Sequence, residues 1–191
     1  MGEYLTSVKI EAFINSVWED ISSYVVSDLD GEGGIYNNEY DNRLASTGSL
    51  RFQLNNVSGD FTPSATFKKG TKVRVTVTYS GVEKVKFFGR ISNIKIDPGT
   101  WGNQRVHVEC LDWMDIAQNQ VIRAKEAEAN KRIDEAVTSL LGDIPIQPES
   151  TDLDTGENTF PLVFDAAQKN ATYYSELNNL VMSELGYIYL R

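Results

Sequence analysis

One cysteine, Cys110, and one histidine, His107, are all that 191 residues hold of the two side chains most used for metal binding and acid–base work. A lone cysteine excludes an internal disulfide and a multi-cysteine zinc site, so the fold rests on packing and hydrogen bonds. A lone histidine excludes a two-histidine metal site, and any Ser-His-Asp triad would have to be built on His107. Cations are short as well: 18 Lys and Arg stand against 27 Asp and Glu, a formal net charge of −9. That balance argues against a protein that grips nucleic acid, which needs a basic face, and an acidic surface lets DNA pass without sticking. No apolar run approaches the length of a membrane span, and Met1-Gly2-Glu3-Tyr4 has neither the basic start nor the apolar stretch of a signal peptide. No membrane anchor is expected. What is present in quantity is apolar content, 41%, enough for an ordinary core, in a length that suits one full domain with a partial one, or two small ones.

The most ordered patterning lies between Gly48 and Ala117, where four segments alternate with period two. Leu50, Phe52 and Leu54 share one face of the first while Arg51, Gln53 and Asn55 share the other. Val73, Val75, Val77 and Tyr79 repeat the pattern, as do Val106, Val108 and Cys110. In the long segment between them, Val85 and Phe87 stand on odd positions and Ile94 and Ile96 on even ones, which predicts a bulge or bend, with Gly89 as its place. These are strands of an antiparallel β-module with one face on a core.

Before this run, Tyr4 to Ile14 reads as a strand, Val17 to Val26 as strand or twisted extended chain, and Asp28 to Asn42 as a loop or irregular edge. After it the period changes. Asp112 can cap a helix with Trp113, Ile116, Ala117 and Val121 at helical spacing. Ile133, Ala136, Val137, Leu140 and Leu141 form the stripe of a second helix that Gly142 is placed to end. Asp143 to Pro161 is a connector. A third helix starts near Thr172, carries Tyr174, Leu177, Leu180, Val181 and Leu185 on one side and stops at Gly186. Tyr187 to Arg191 reads as a strand that must pair with an earlier strand or another chain, unless the chain is a fragment cut before a further β-domain, the reading preferred here. The fold class is β-rich α+β: an antiparallel β-barrel or sandwich over 1–112, then over 113–191 a helical connector and the start of a second, truncated α+β domain.

Six short motifs occur in a telling order: Trp18-Glu19-Asp20-Ile21, Gly48-Ser49-Leu50-Arg51-Phe52-Gln53-Leu54-Asn55-Asn56, Gly59-Asp60-Phe61-Thr62-Pro63, Gly70-Thr71-Lys72-Val73-Arg74-Val75, Phe87-Phe88-Gly89-Arg90-Ile91-Ser92 and Val108-Glu109-Cys110-Leu111-Asp112-Trp113. In order and spacing, over about two-thirds of the chain, they resemble the tail-hub or baseplate-hub-like structural proteins of bacteriophages and prophages. Gly33-Gly34-Ile35-Tyr36 departs from the Gly-Arg pair usual in that family. The resemblance implies a tail-tube-like β-barrel in a symmetric hub around the tail channel, a trimer or hexamer-like ring of a virion tail made in the host bacterial cytoplasm. It implies other tail proteins as partners: distal tail or tube, tape measure, tip or fibre proteins. Enzymatic activity, cofactors and catalytic or metal residues form no part of it.

Three sharper readings compete with it. Asp28-Leu29-Asp30-Gly31-Glu32 through Glu39 has the carboxylate spacing of an EF-hand calcium loop. Yet Val17 to Ser27 is too β-branched for an entering helix, and Glu32 and Tyr36 depart from the usual donors, so a solvated acidic loop is preferred; the echo at Asp152 to Glu157 reads as an exposed connector. A carbohydrate-binding β-sandwich would use Trp101, Tyr36 and Tyr40 as stacking platforms. A tail-tip hydrolase ranks last, for want of an acid pair, nucleophile or metal cluster. Lys125 to Glu135 mixes charge signs at helical spacing and is expected to be an exposed helix face.

Overall fold

The computed structural model describes residues 5–35, 43–64, 66–99, 104–122, 125–164 and 171–190. They fall into two compact units, residues 1–33 with 47–113, and residues 34–46 with 114–190.

The first unit contains β1 (Leu5–Ile14), β2 (Val17–Asp20), β3 (Asp30–Gly34), β4 (Ser46–Asn55), β5 (Lys72–Tyr79), β6 (Val82–Asp97) and β7 (Arg105–Asp112), in the order β2-β1-β5-β6-β7-β4-β3. The two outer positions belong to one stretch of chain. Its start pairs with β1 through Phe13↔Trp18 and Glu11↔Asp20, and the Ile21 N–H donates to the Ile10 carbonyl at 2.9 Å. A 3-10 turn at Ser22–Tyr24 then redirects it. Val25 bridges to Leu54, the Val26 N–H donates to the Gln53 carbonyl at 2.9 Å, and β3 continues alongside β4. The sheet is therefore rolled into a barrel whose seam is the broken segment 17–34.

Alternation decides what fills it. Ile10 and Ala12 of β1, Leu50, Phe52 and Leu54 of β4, Val73 and Val75 of β5, Ile91 of β6 and Val106, Val108 and Cys110 of β7 converge in one buried cluster. Ile21 from the seam and Phe61 and Phe67 from the β4–β5 connection complete it. The change of phase in β6 is real, and its place differs from expectation. Ser92 is the unpaired residue between Ile91↔Cys110 and Asn93↔Glu109, and on the other side Lys86 is unpaired between Phe87↔Val75 and Val85↔Thr76. Gly89 sits in regular register, and its role is different: an added Cβ would lie 2.5 Å from the Leu111 carbonyl oxygen and 2.6 Å from the Phe87 ring. The ring of Phe87 covers the gap that the glycine leaves.

The second unit contains α1 (Trp113–Asn119, its first residue in the first unit), β8 (Glu128–Arg132), α2 (Ile133–Asp143), β9 (Thr159–Val163) and α3 (Tyr173–Glu184). Ala136, Val137 and Leu140 of α2 and Tyr173, Leu177, Leu180 and Val181 of α3 are buried. The α2 helix passes Gly142 and ends at Asp143. For α3, the Thr172 side chain accepts from the Ser175 N–H at 3.1 Å, which fixes a start at Tyr173. The buried face includes Tyr173 where Tyr174 was expected, and Leu185 is not on it: it takes the left-handed C-cap position at φ 56° and is 63% exposed. Ile188 pairs in parallel with Leu44, its N–H donating to the Arg43 carbonyl at 2.9 Å, so the final segment has an earlier partner.

The expected helix face at Lys125 to Glu135 is corrected. Glu128–Arg132 is a strand paired antiparallel with β9, and only Ile133 onward is helical. Lys125 is buried, its ammonium donating to Ser139 Oγ and Asp143 Oδ2 at 2.7 Å each and lying 3.1 Å from Glu128 Oε1. Burial alone would lower its pKa, but Asp143 and Glu128 outweigh that and raise it. A protonated Lys125, with Ser139 Oγ donating to Glu128, is a structural pin and not a nucleophilic dyad.

Candidate functional site

The residues singled out by motif fall into three contact groups in the barrel. On its outer face Glu11 is clasped by Arg74 Nε at 2.6 Å and Lys9 Nζ at 2.7 Å. The Arg74 guanidinium lies 4.4 Å over the Trp18 ring, which packs edgewise on Phe88 at 5.9 Å and obliquely on Phe13 at 5.2 Å. Trp18 and Arg74, from two separate motifs, thus form one stack that joins β2, β1, β5 and β6. The Arg74 hydrogen bond holds the Glu11 carboxyl below the usual carboxylate range against the opposing effect of burial, with Lys9 adding to it. Asp20, two residues beyond Trp18, accepts from the Ser22 hydroxyl at 2.6 Å and its N–H at 2.9 Å, and this lowers its pKa.

The second group lies where β7 ends. Asp112 Oδ2 accepts from the buried Gly48 N–H at 2.7 Å, and a Cβ on Gly48 would stand 2.5 Å from that same oxygen. Gly89 of β6 is the register partner of Asp112 on the other side. The third group is the turn after β4. Asn56, fully buried, accepts from the Phe61 N–H at 2.8 Å and donates to Thr62 Oγ1 at 3.2 Å. This seats Phe61 edgewise on Phe67 and Tyr24 at 5.2 and 5.0 Å. In all three groups the motif residues set strand joints and core plugs.

The outer faces of β4, β7 and β6 form a shallow depression of about 510 Å³. Its floor is a polar grid, with Arg51 beside Glu109 and Asn93 in one row and Gln53 beside His107 and Lys95 in the next. Arg51 Nε donates to Glu109 Oε1 at 3.0 Å, and Asp30 stands 3.9 Å from Arg51 at the rim. His107 is an exposed member of that grid, on the face opposite Val106 and Val108 as its parity required. Cys110 is fully buried, and burial pushes its thiol far above the ordinary range. Among the described residues no group of three or more His, Cys, Asp or Glu is placed to hold a metal ion. The acidic segment from Asp28 leads into strand β3, and a strand and a 3-10 turn precede it where an EF-hand needs a helix. Its positions Tyr36 to Glu39, like Tyr40 and Trp101, lie outside the described residues.

No protein-family model matches the chain, and no curated protein does. Solved structures do. A tail protein from Neisseria meningitidis MC58 superposes over 93% of this chain and 46% of its own, with a TM-score of 0.54 at 9% identity. The 43 kDa tail protein of prophage MuSo2 from Shewanella oneidensis does so over 94% of this chain and 51% of its own, with a TM-score of 0.51 at 11% identity. The chain shares the fold of these two tail proteins. It spans about half the length of the two tail proteins it matches. The likeness drawn from the motifs therefore holds at the level of architecture. What the motifs could not show was why their residues are needed: Glu11 and Lys9, which complete the Trp18–Arg74 stack, have only a polar parity to mark them.

Proposed function

We propose that this chain is a non-enzymatic structural component of a phage or prophage tail tip. In this reading the barrel, residues 1–112, forms part of a symmetric hub around the tail channel, and 113–191 is a helical connector leading into a second α+β domain. Identical copies form a ring of three- or six-fold character, and neighbouring tail proteins bind it. The observation that carries the reading is the superposition of nearly the whole chain on tail proteins from two bacteria. The use of the motif residues Trp18, Arg74, Gly48, Asp112, Asn56 and Phe61 for strand joints and core supports it. The test is localisation in particles. Tails purified from a strain bearing an epitope-tagged copy are expected to carry the tag at one end by immunogold electron microscopy, and deletion is expected to leave them without an organised tip. Complete, infectious particles from the deletion strain would overturn the proposal.

A further inference from the structure

The depression on the outer faces of β4, β7 and β6 is bounded on one side by Ser27, Asp28 and Asp30 of the seam. Its floor is two rows of polar side chains, each crossing the three strands, so that β4 supplies Arg51 and Gln53, β7 supplies Glu109 and His107, and β6 supplies Asn93 and Lys95. Arg51 and Glu109 are tied to each other at 3.0 Å, and the Arg105 guanidinium donates to Gln53 Oε1 at 3.5 Å. The side chains of Asn93, Lys95 and His107 make no hydrogen bond or ion pair among the described residues. Uncommitted donors and acceptors therefore stand side by side, held on strands and not on loops.

The lining narrows the class of ligand by what it does not suit. Its charges are Arg51 and Lys95 against Asp28, Asp30 and Glu109, interspersed and nearly balanced, so neither a polyanion nor a polycation gains a net attraction. An apolar ligand would strip water from the polar floor without replacing its hydrogen bonds. A peptide added as a strand needs a free sheet edge, and here β7 is paired with both β6 and β4, and β4 with both β7 and the seam. What remains is a neutral ligand whose polar groups each donate and accept, as sugar hydroxyls do. The spacing agrees. Neighbouring strands lie about 4.8 Å apart, close to the length of one pyranose unit in a linked chain, so a glycan laid across them meets two polar side chains per sugar.

We propose that this depression binds a neutral oligosaccharide running across β4, β7 and β6, one sugar unit over each strand, with Gln53, His107 and Asn93 as its hydrogen-bonding residues. The single aromatic residue of the lining, Phe52, is buried in the core and offers no stacking platform. Affinity at one site is accordingly low, about 1 mM. The site is a binding activity beyond the hub reading and does not rest on it.

The test is an amide NMR titration of the full chain with maltohexaose, mannohexaose and N-acetylchitohexaose, each up to about 10 mM. At least one is expected to give saturable shifts centred on Gln53, Asn93, Lys95 and His107, while glucose and the anionic hyaluronan hexasaccharide bind more weakly. Asn93→Ala and His107→Ala remove exposed side chains, so the melting temperature is expected to hold while affinity falls roughly threefold to tenfold for each. If a variant does not fold, the map of shifted amides in the wild-type chain decides alone. No saturable shift with any of the three neutral sugars, shifts centred elsewhere, or tighter binding of the hyaluronan hexasaccharide would overturn the proposal. So would the same amides shifting with protein concentration alone, which marks a second copy as the occupant. Localisation to the tail end is read in a separate experiment, so either reading can fail while the other stands.

Discussion

Asp112 accepts its hydrogen bond from Gly48 at a point where β4 has no room for a side chain. Replacing Gly48 by Ala puts a methyl group 2.5 Å from the carboxylate oxygen, so the hydrogen bond must lengthen or the strand must shift. Overpacking of this kind costs about 1–3 kcal/mol. Urea unfolding of Gly48→Ala is expected to show a loss in that range with an unchanged m-value, and a stability equal to wild type would refute the close approach. Cys110 illustrates the opposite case, a reactive group made inert. With its thiol fully buried and its pKa driven upward by that burial, native protein is expected to react negligibly with a thiol-specific chromogen at pH 8, and stoichiometrically once unfolded.

Between elements, the Glu11 clasp links β1 to β5 and carries a pH dependence with a definite sign. The folded-state pKa lies below the unfolded value of about 4.3, so the carboxylate's contribution is fully present above that pH and is lost as pH falls through the folded pKa. Glu11→Gln is expected to cost about 1–2 kcal/mol at neutral pH. The difference from wild type should vanish in acid, and a difference independent of pH would refute the assignment. At the end of α3, Leu185 holds a left-handed backbone that costs a side-chain-bearing residue roughly 1–2 kcal/mol. Its side chain is exposed, so Leu185→Gly is expected to raise the melting temperature slightly, and a clear drop would mean that the side chain matters more than the backbone.

The elements also mark what could be read in advance. Strands whose alternation is set by one buried face, β4, β5 and β7, were legible residue by residue. The phase change in β6 was legible, but its location was not, because a bulge at Ser92 is defined by the register with β7 and leaves no local mark. β8 has the sequence pattern of a helix because its charges fall at helical spacing, while the partner that makes it a strand lies about thirty residues away in β9. The seam was hidden for a similar reason: it serves two strands in turn and has no single alternating face. At the motif sites the residue types were visible and their partners were not. Nothing in the sequence pairs Trp18 with Arg74 or Gly48 with Asp112.

In the molecule as a whole, the long-range pairings share one property. β1 joins β5, β4 joins β7, and Val25 of the seam joins Leu54 of β4, whereas β1–β2, β3–β4, β5–β6 and β6–β7 join strands that are neighbours in sequence. A chain ending after Gln104 would lack β7, leaving β4 without the neighbour that supplies Val106, Val108 and Cys110 to the core. Such a truncation is expected to show no cooperative unfolding transition by circular dichroism.

The order of those pairings has a consequence for synthesis. As the chain leaves the ribosome, β1 and β4 appear first and wait, β1 for Lys72 to Tyr79 and β4 for Arg105 to Asp112. Pairings this distant are slow to form, and until they do the apolar edges of both strands are open to wrong partners. The seam can pair with β1 at once through β2, while its contacts along β4 rest on a strand that still lacks β7. The vulnerable moment in this protein's life is therefore the interval between the emergence of β1 and that of β7.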